Sequence, residues 1–443
     1  MATPCYTQLG FGFQPKLVVD FAGGTLTSDA GLLLLREFDD VLGLTDAVTT
    51  CIEDRRDSRY ITHEVATLIR QRLYQIAAGY EDVNDANRLR VDPTLQLVAS
   101  GDGETALGSQ PTLSRLENAL HWVTIRRLAD VGIDWFCEHA YALGEEPREV
   151  LLDVDSTDDP THGHQQLALF TGYYDQFMYY PLCWFEAHTD LPLRTRLRPG
   201  RTPNAQGLVE DLRQMLPKIR QRYPHAQVRL RGDSGMATPR VEAALEAGGV
   251  EYVLAMGSNK GFTRRVAVCR AKAEARYART GIPVSICTSF RYRATRWPRQ
   301  RRILVHLQVN ALGTSVRFMV TNRCGPARDL VAWYGGRGTV ENRIKELKLD
   351  LHADRLSCHR YRANAARLQF HTLALGLLAY FRRWVLAPTE LASATVGRIR
   401  LRLFKIGARV VRSVRRVWFH LASSWPGRDL FCTIHRALAR PSP

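Results

Sequence analysis

The chain has 443 residues, 45% of them hydrophobic, and a formal net charge of +17. That length suits two to four domains, and that apolar content excludes a globally disordered chain. The basic excess points to a polyanionic partner, and nucleic acid is favoured over a membrane: the best apolar stretch, "LALGLLAYF" (373–381), is too short to span a bilayer and runs into Arg382 and Arg383.

The first residues, "MATPCYTQLG", carry neither the basic nor the apolar segment of a secretory signal. Nine scattered cysteines without a C-x-x-C pair suit reduced thiols and a cytoplasmic protein. Residues 1–145 are expected to be mostly helical. Val65, Leu68, Ile69, Leu73 and Ile76 recur at helical spacing, with Thr62 as a cap and Gly79 as a stop. The basic runs "DRRDSRY" (54–60) and "NRLRVDP" (87–93) suit DNA contacts and solvated helix faces equally.

From 147 the pattern changes. "EVLLDVD", "MYYPLCWFEAH" and "LPLRTRLRPG" predict three strands in an antiparallel meander. "GLVEDLRQMLPKIRQRY" (207–223) predicts a helix, "QVRLRGD" (227–233) a strand, and "TPRVEAALEAG" a helix capped by Thr238 with Pro239 in its first turn. "VEYVLAM" is the next strand. Three antiparallel strands followed by parallel βα units is the order of an RNase H-like core. Residues 258–322 read as a β-rich, arginine-rich insertion built from "VSICTSFRY", "RRILVHLQV" and "SVRFMVTN". The chain then turns helical, and 386–443 is dense in arginine. Val396, Ile399, Leu403 and Ile406 predict an amphipathic helix ending at Gly407, with Arg398, Arg402, Lys405 and Arg409 on its other face. After Gly407 the run fits strands or a helix.

The segment "LLDVDSTDDPTHGHQQ" (151–166) sets four aspartates within seven residues. Carboxylates that close repel one another, so something positive is expected to offset them. In "WYGGRGTVENRIKELKLDLHADR" (333–355), Tyr334, Arg337, Glu341 and Lys348 stand at i, i+3, i+7 and i+14. On one helix those offsets fall within about 60° of each other. The three glycines among residues 335–338 weaken the first turn, so the helix is expected to begin near Thr339.

Asp155 ends the first strand, Asp233 ends a later one, and Glu341 lies on the following helix. Ligand sites in α/β sheets form at the carboxyl ends of strands. Three acids converging there suit two Mg²⁺ ions, which prefer oxygen ligands and stabilise attacking and leaving oxygens in phosphoryl transfer. His162 and His164 are poor ligands for such an ion. Asp158 and Asp159 read as loop caps. "GDSGMA" is no serine hydrolase signature, since no G-x-S-x-G element follows a strand.

These residues resemble the DDE transposases of the IS4 superfamily, and specifically the IS1380 family. "DVDSTDDPTHGHQ" is similar to that family's first-Asp block and "LRGDSGMATP" to its second. Tyr334, Arg337, Glu341 and Lys348 fit the superfamily's Tyr-x2-Arg-x3-Glu-x6-Lys signature without a gap. "ENRIKELKLD", "LRPG" (197–200) and "GGTLTSDAGLLLLRE" are further family-like runs, so the likeness covers nearly the whole chain. One departure is "YGGRG", where the family often carries an Arg after the Tyr.

The resemblance implies that Asp155, Asp233 and Glu341 are the catalytic, metal-binding triad. It implies two Mg²⁺ ions, with Mn²⁺ able to substitute. Tyr334, Arg337 and Lys348 would contact DNA near the cleaved phosphate. Asp155 is preferred to Asp153 because "Asp-Ser-Thr" is the family-like run, and Asp153 becomes a supporting residue deeper in the strand.

The expected fold is α/β in five parts. A helical N-terminal DNA-binding region (1–145) precedes an RNase H-like core (146–257 and 323–385), which a β-rich insertion (258–322) interrupts. A basic C-terminal region (386–443) follows. The expected function is an insertion-sequence transposase, acting in the cytoplasm at the nucleoid. It would bind terminal inverted repeats, cleave the transposon ends and join the 3′-hydroxyl to target DNA, as a dimer in the DNA-bound assembly. The rivals are an RNase H-like nuclease without strand transfer and a non-enzymatic, transposase-derived DNA-binding protein.

Overall fold

The computed structural model describes residues 8–141, 145–295 and 297–439. The chain divides into two units. One comprises residues 1–120, 350–352 and 377–443; the other comprises 121–349 and 353–376.

The second unit is organised around an eight-stranded mixed sheet. Its strands in chain order are β1 (Glu149–Ser156), β2 (Leu182–Glu186), β3 (Leu191–Arg196), β4 (Gln227–Gly232), β5 (Glu251–Met256), β6 (Val284–Tyr292), β7 (Arg301–Asn310) and β8 (Gly313–Thr321). Their spatial order is β6-β7-β8-β5-β4-β1-β2-β3. β1, β2 and β3 form an antiparallel meander. β4 pairs parallel to β1, and β5 parallel to β4. The crossovers that parallel pairing demands are the helices Leu208–Arg222 and Pro239–Ala247. Thr238 caps the latter, accepting from the Val241 amide, with Pro239 at its start. The near-continuous burial of Val150 to Val154 and of Tyr252 to Leu254 is what centrally placed strands require.

The strands of 258–322 extend this same sheet: β8 pairs antiparallel with β5, and β7 and β6 follow. That segment also contains the helix Lys260–Thr280, which the sequence pattern did not suggest. It buries a thin stripe of Phe262, Val266 and Ala273 amid exposed basic residues, so its periodicity is faint. Asn259 caps it, accepting from the Phe262 amide at 2.9 Å. The stretch read as one strand, "MYYPLCWFEAH", is broken at Tyr180-Pro181 into Gln176–Tyr179 and β2, since proline has no N–H for a ladder. Gln176–Tyr179 instead joins Asp159–Pro160 and Leu169–Thr171 in a separate three-stranded sheet.

The first unit is helical with two small sheets. Val65–Ala78 is a helix that ends before Gly79, but its N-cap position is Glu64 rather than Thr62. It packs against Pro93–Ser100. Asp39 is buried, and accepts from the Thr45 amide, the Thr45 hydroxyl and the Tyr74 hydroxyl. The basic run at 54–60 is neutralised locally by exposed pairs of Arg56 with Asp54 and Arg59 with Asp57.

The residues near the N-terminus, expected to be helical, include the strands Leu9–Phe11, Gln14–Val19 and Leu26–Thr27. In the basic tail, Val396, Ile399, Leu403 and Ile406 are buried as their spacing suggested. The segment is a short helix, Val396–Ile399, continued as a π-helical turn, Arg400–Phe404. Lys405 does not lie on the open face: its ammonium reaches Asp29 at 2.6 Å. Beyond Gly407 the chain forms the hairpin Ala408–Ser413 with Arg416–Leu421. Among the described residues no helix is long and apolar enough to cross a membrane.

Candidate active site

β1 and β4 are neighbouring parallel strands in register from Gln227 with Glu149 to Gly232 with Val154. Their carboxyl ends therefore lie side by side, and they deliver Asp155 and Asp233 to one edge. Burial and the adjacent charges of Asp233 and Glu341 push the Asp155 carboxyl up to about 6, against the pull of Arg337. The Arg337 guanidinium lies 2.6 Å from Asp155 and 3.8 Å from Glu341. Arg337 and Asp155 are largely buried, whereas Glu341 is 57% exposed. The Ser156 amide donates to Asp155 at 2.9 Å. The structure thus brings Asp155, Asp233 and Glu341 into one electrostatic neighbourhood, centred on an arginine.

The four signature residues do not share a continuous helix. Tyr334 lies near the end of Ala327–Gly335, and Arg337 occupies the N-cap position of Gly338–Lys345. Glu341 lies within that second helix, and Lys348 on a π-helical turn, Glu346–Asp350. The glycines cause the break. Gly336 also leaves room for a neighbour, because a Cβ there would stand 2.6 Å from the Arg231 guanidinium. The Tyr334 hydroxyl donates to the Gly232 carbonyl at 3.2 Å, one residue before Asp233. Burial raises the Tyr334 phenol to about 12, so it stays a neutral donor.

Lys348 donates to the backbone carbonyl of Asp158 at 2.7 Å and to its carboxylate at 2.8 Å. Asp158 is therefore an ion-pair partner rather than a loop cap. Asp159 is not a cap either: it is 2% exposed, and neither carboxylate oxygen has a hydrogen-bond partner among the described residues. Burial, with Asp354 adding to it, holds Asp159 well above the usual carboxylate range. Sequence reasoning missed both roles because neighbouring aspartates look alike until their partners are known.

Asp153 is 1% exposed and bound through both oxygens to Arg231 at 2.6 Å each. Arg231 also donates to the Trp333 carbonyl at 2.8 Å and packs over the Trp333 ring. Asp153 thereby ties β1 and β4 to the segment that carries Tyr334. His162 and His164 are exposed, and the His164 carbonyl contacts His359.

A groove of about 360 Å³ opens beside Asp155, lined by Ser156, Thr157, Glu341, Lys345, Lys348 and Leu349 among others. Among the described residues no three acidic, His or Cys side chains converge tightly enough to hold an ion as they stand. The chemistry of the donors suits a hard divalent cation nonetheless. All three are carboxylates, and the charges of Asp233 and Glu341 add to burial in raising Asp155. Arg337 supplies the positive charge at Asp155 and would have to share it with an ion.

The chain belongs to the DDE transposases: the family model described as transposase DDE domain, group 1, matches residues 9–443. That family normally uses divalent metals and is one of DNA-cleaving and DNA-joining enzymes. No curated protein matches the chain. Among solved structures, one similar to it is the cryo-EM structure of a piggyBac transposase synaptic complex with hairpin DNA. The two share 11% sequence identity at a TM-score of 0.44, over 94% of this chain and 83% of that one.

Proposed function

We propose that the chain is an insertion-sequence transposase of the IS4 superfamily, IS1380 family, with an RNase H-like core. It binds terminal inverted repeats, cleaves the transposon ends and joins the freed 3′-hydroxyl to target DNA. The observation that carries this reading is the convergence of Asp155, Asp233 and Glu341 on Arg337 at the carboxyl edge of two parallel strands. The strand order β3-β2-β1-β4-β5 supports the core assignment, because an antiparallel meander followed by parallel strands is that fold's pattern.

In this reading Asp155, Asp233 and Glu341 hold two Mg²⁺ ions, or Mn²⁺ in their place. The ions supply charge for the attacking and leaving oxygens of in-line displacement. The rest follows from the side chains. Arg337 presents a planar fork suited to a phosphate once DNA enters. Lys348 can exchange Asp158 for a phosphate oxygen, since one ammonium serves either anion. Tyr334, neutral and anchored to the Gly232 carbonyl, fixes the end of the helix that precedes Arg337 against the end of β4. Water attacks the phosphorus at the transposon end, leaving a 5′-phosphate, and the 3′-oxygen departs as a hydroxyl; that 3′-hydroxyl then attacks a phosphorus of target DNA, and the target strand's own 3′-oxygen departs from it and takes up a proton. The helical N-terminal region (1–145) and the arginine-rich tail (386–443) bind DNA flanking the cut. The active assembly is a dimer on paired ends, in the cytoplasm at the nucleoid.

Incubation with Mg²⁺, a fragment bearing the element's own two ends, and a target plasmid tests the reading. Cut ends with a free 3′-hydroxyl and joined products are expected. Cut ends without joining would make the protein a nuclease. End binding without cutting would make it a non-enzymatic DNA-binding protein.

A further inference from the structure

The small sheet that follows Asp155 in sequence carries a row of tyrosines. Leu169–Thr171 pairs with Gln176–Tyr179, and residues 172–175 form the turn between them. Asp175 takes a left-handed conformation at φ 52°, and Tyr174 is bonded back to Thr171. Tyr173 and Tyr174 therefore stand at the tip. Tyr173 is 88% exposed, and its ring meets that of Tyr174 edge-on at 4.8 Å. Tyr174 in turn meets Tyr180 at 6.3 Å between ring centroids.

Tyr180 reaches the active site. The Arg198 guanidinium lies 5.0 Å over its ring. Arg198 donates to the Ser156 hydroxyl at 2.7 Å, next to Asp155. A continuous aromatic line thus runs from the neighbour of the first catalytic carboxylate to solvent. Phe170 and Phe177, a cross-strand pair at 5.5 Å, are also partly open.

The line is held in place before any ligand arrives. Arg198 is 3% exposed and donates to the carbonyls of Tyr180, Asn204 and Gln206. The loop after β3 lies flush against the hairpin at Gly200, where a Cβ would fall 2.3 Å from the Met178 carbonyl and 2.5 Å from that of Leu169. Exposed Arg201 donates to the Phe170 carbonyl from the same loop. Cations therefore flank the aromatic row on this side, and Lys345 and Lys348 line the groove beside Asp155.

A tyrosine row that is open at its tip, half-buried at Tyr180 and flanked by cations is what unpaired nucleic-acid bases bind. Each base offers a π-face for stacking, and each phosphate a charge for Arg or Lys. We propose that the Tyr173–Tyr174–Tyr180 row stacks the unpaired bases of the DNA strand next to the cleaved phosphate. This rests on the transposase reading and adds a subsite to it: the strand leaves the carboxylates along the hairpin rather than as duplex.

The test is binding by the full chain in EDTA, so that cleavage is absent. The probes are a blunt duplex and the same duplex with a short single-stranded oligothymidine tail. Oligothymidine suffices because stacking is tolerant of sequence. Wild type should prefer the tailed duplex. Tyr173→Phe, which keeps the ring, should retain that preference, and Tyr173→Ala should lose about tenfold of it. Tyr173 is so exposed that neither change should move the melting temperature. An unchanged preference in Tyr173→Ala, or no preference in wild type, overturns the stacking row while leaving the transposase reading intact. Failure of wild type to bind either duplex at low salt contradicts the transposase reading itself.

Discussion

Asp155→Asn isolates the electrostatic cost of the active site. Burial, then the charges of Asp233 and Glu341, raise the Asp155 carboxyl from 3.8 to about 6 even with Arg337 at 2.6 Å. A raised acid pKa means that the folded state favours the neutral form. That stabilisation is present below the unfolded value near 4 and is lost as pH rises through about 6. The shift corresponds to about 3 kcal/mol by which the ionised carboxylate weakens the fold at neutral pH. An amide cannot ionise. The variant should therefore match wild type below pH 4 and exceed it by about 3 kcal/mol above pH 7 in EDTA. In thermal melts at pH 8 that is an upward shift of about 3–6 °C, the larger value if the unit that carries Asp155 melts by itself. Mg²⁺ should narrow the gap by stabilising wild type and not the variant, because the ion neutralises the carboxylate the variant lacks. An advantage that does not vary with pH, or a variant that melts below wild type at pH 8, would refute the reasoning.

Other outcomes follow from the same geometry. Arg231→Leu strands Asp153, which is 1% exposed and loses both of its 2.6 Å bonds, so it should cost about 3–5 kcal/mol in urea unfolding. Asp153→Asn in that background should recover part of the loss. Arg337→Gln and Lys348→Gln should each weaken binding of transposon ends and flatten its log–log salt dependence by up to about one unit, measured by titration across a salt series. In the tail, Arg398 and Arg409 are exposed, and Arg402 makes only a surface pair with Glu390 at 3.1 Å. Changing all three to Gln should leave the melting temperature nearly unchanged and reduce DNA affinity more at low salt than at high salt.

The elements that positioned the site were legible in the sequence because their patterns are local. A run rich in branched apolar residues ending in Asp155 marked β1, an alternating run ending in Asp233 marked β4, and Thr238-Pro239 marked the start of a crossover helix. What was not legible depended on tertiary partners. The helix Lys260–Thr280 buries too few apolar residues to show a period. Whether 408–421 is helix or hairpin turns on packing, and the hairpin joins Leu26–Thr27, far away in sequence. The fate of the aspartate cluster was equally hidden. Asp153 faces an arginine on the next strand, Asp158 a lysine well over a hundred residues later, and Asp159 no partner among the described residues. Spacing placed Tyr334, Arg337, Glu341 and Lys348 on one helical face. The real backbone reaches a similar grouping through two short helices and a π-turn, because glycines interrupt the first and a wider turn carries the last.

The central claim is that Asp155, Asp233 and Glu341 act together as the phosphodiester-cleaving triad. The most direct measurement is cleavage of a transposon-end fragment in Mg²⁺ by Asp233→Ala, with end binding followed in parallel. Asp233 makes neither of the Arg337 ion pairs at 2.6 and 3.8 Å, so its removal leaves both of them in place. The account predicts that binding stays near wild type while cleavage disappears. Cleavage at the wild-type rate by Asp233→Ala would contradict it.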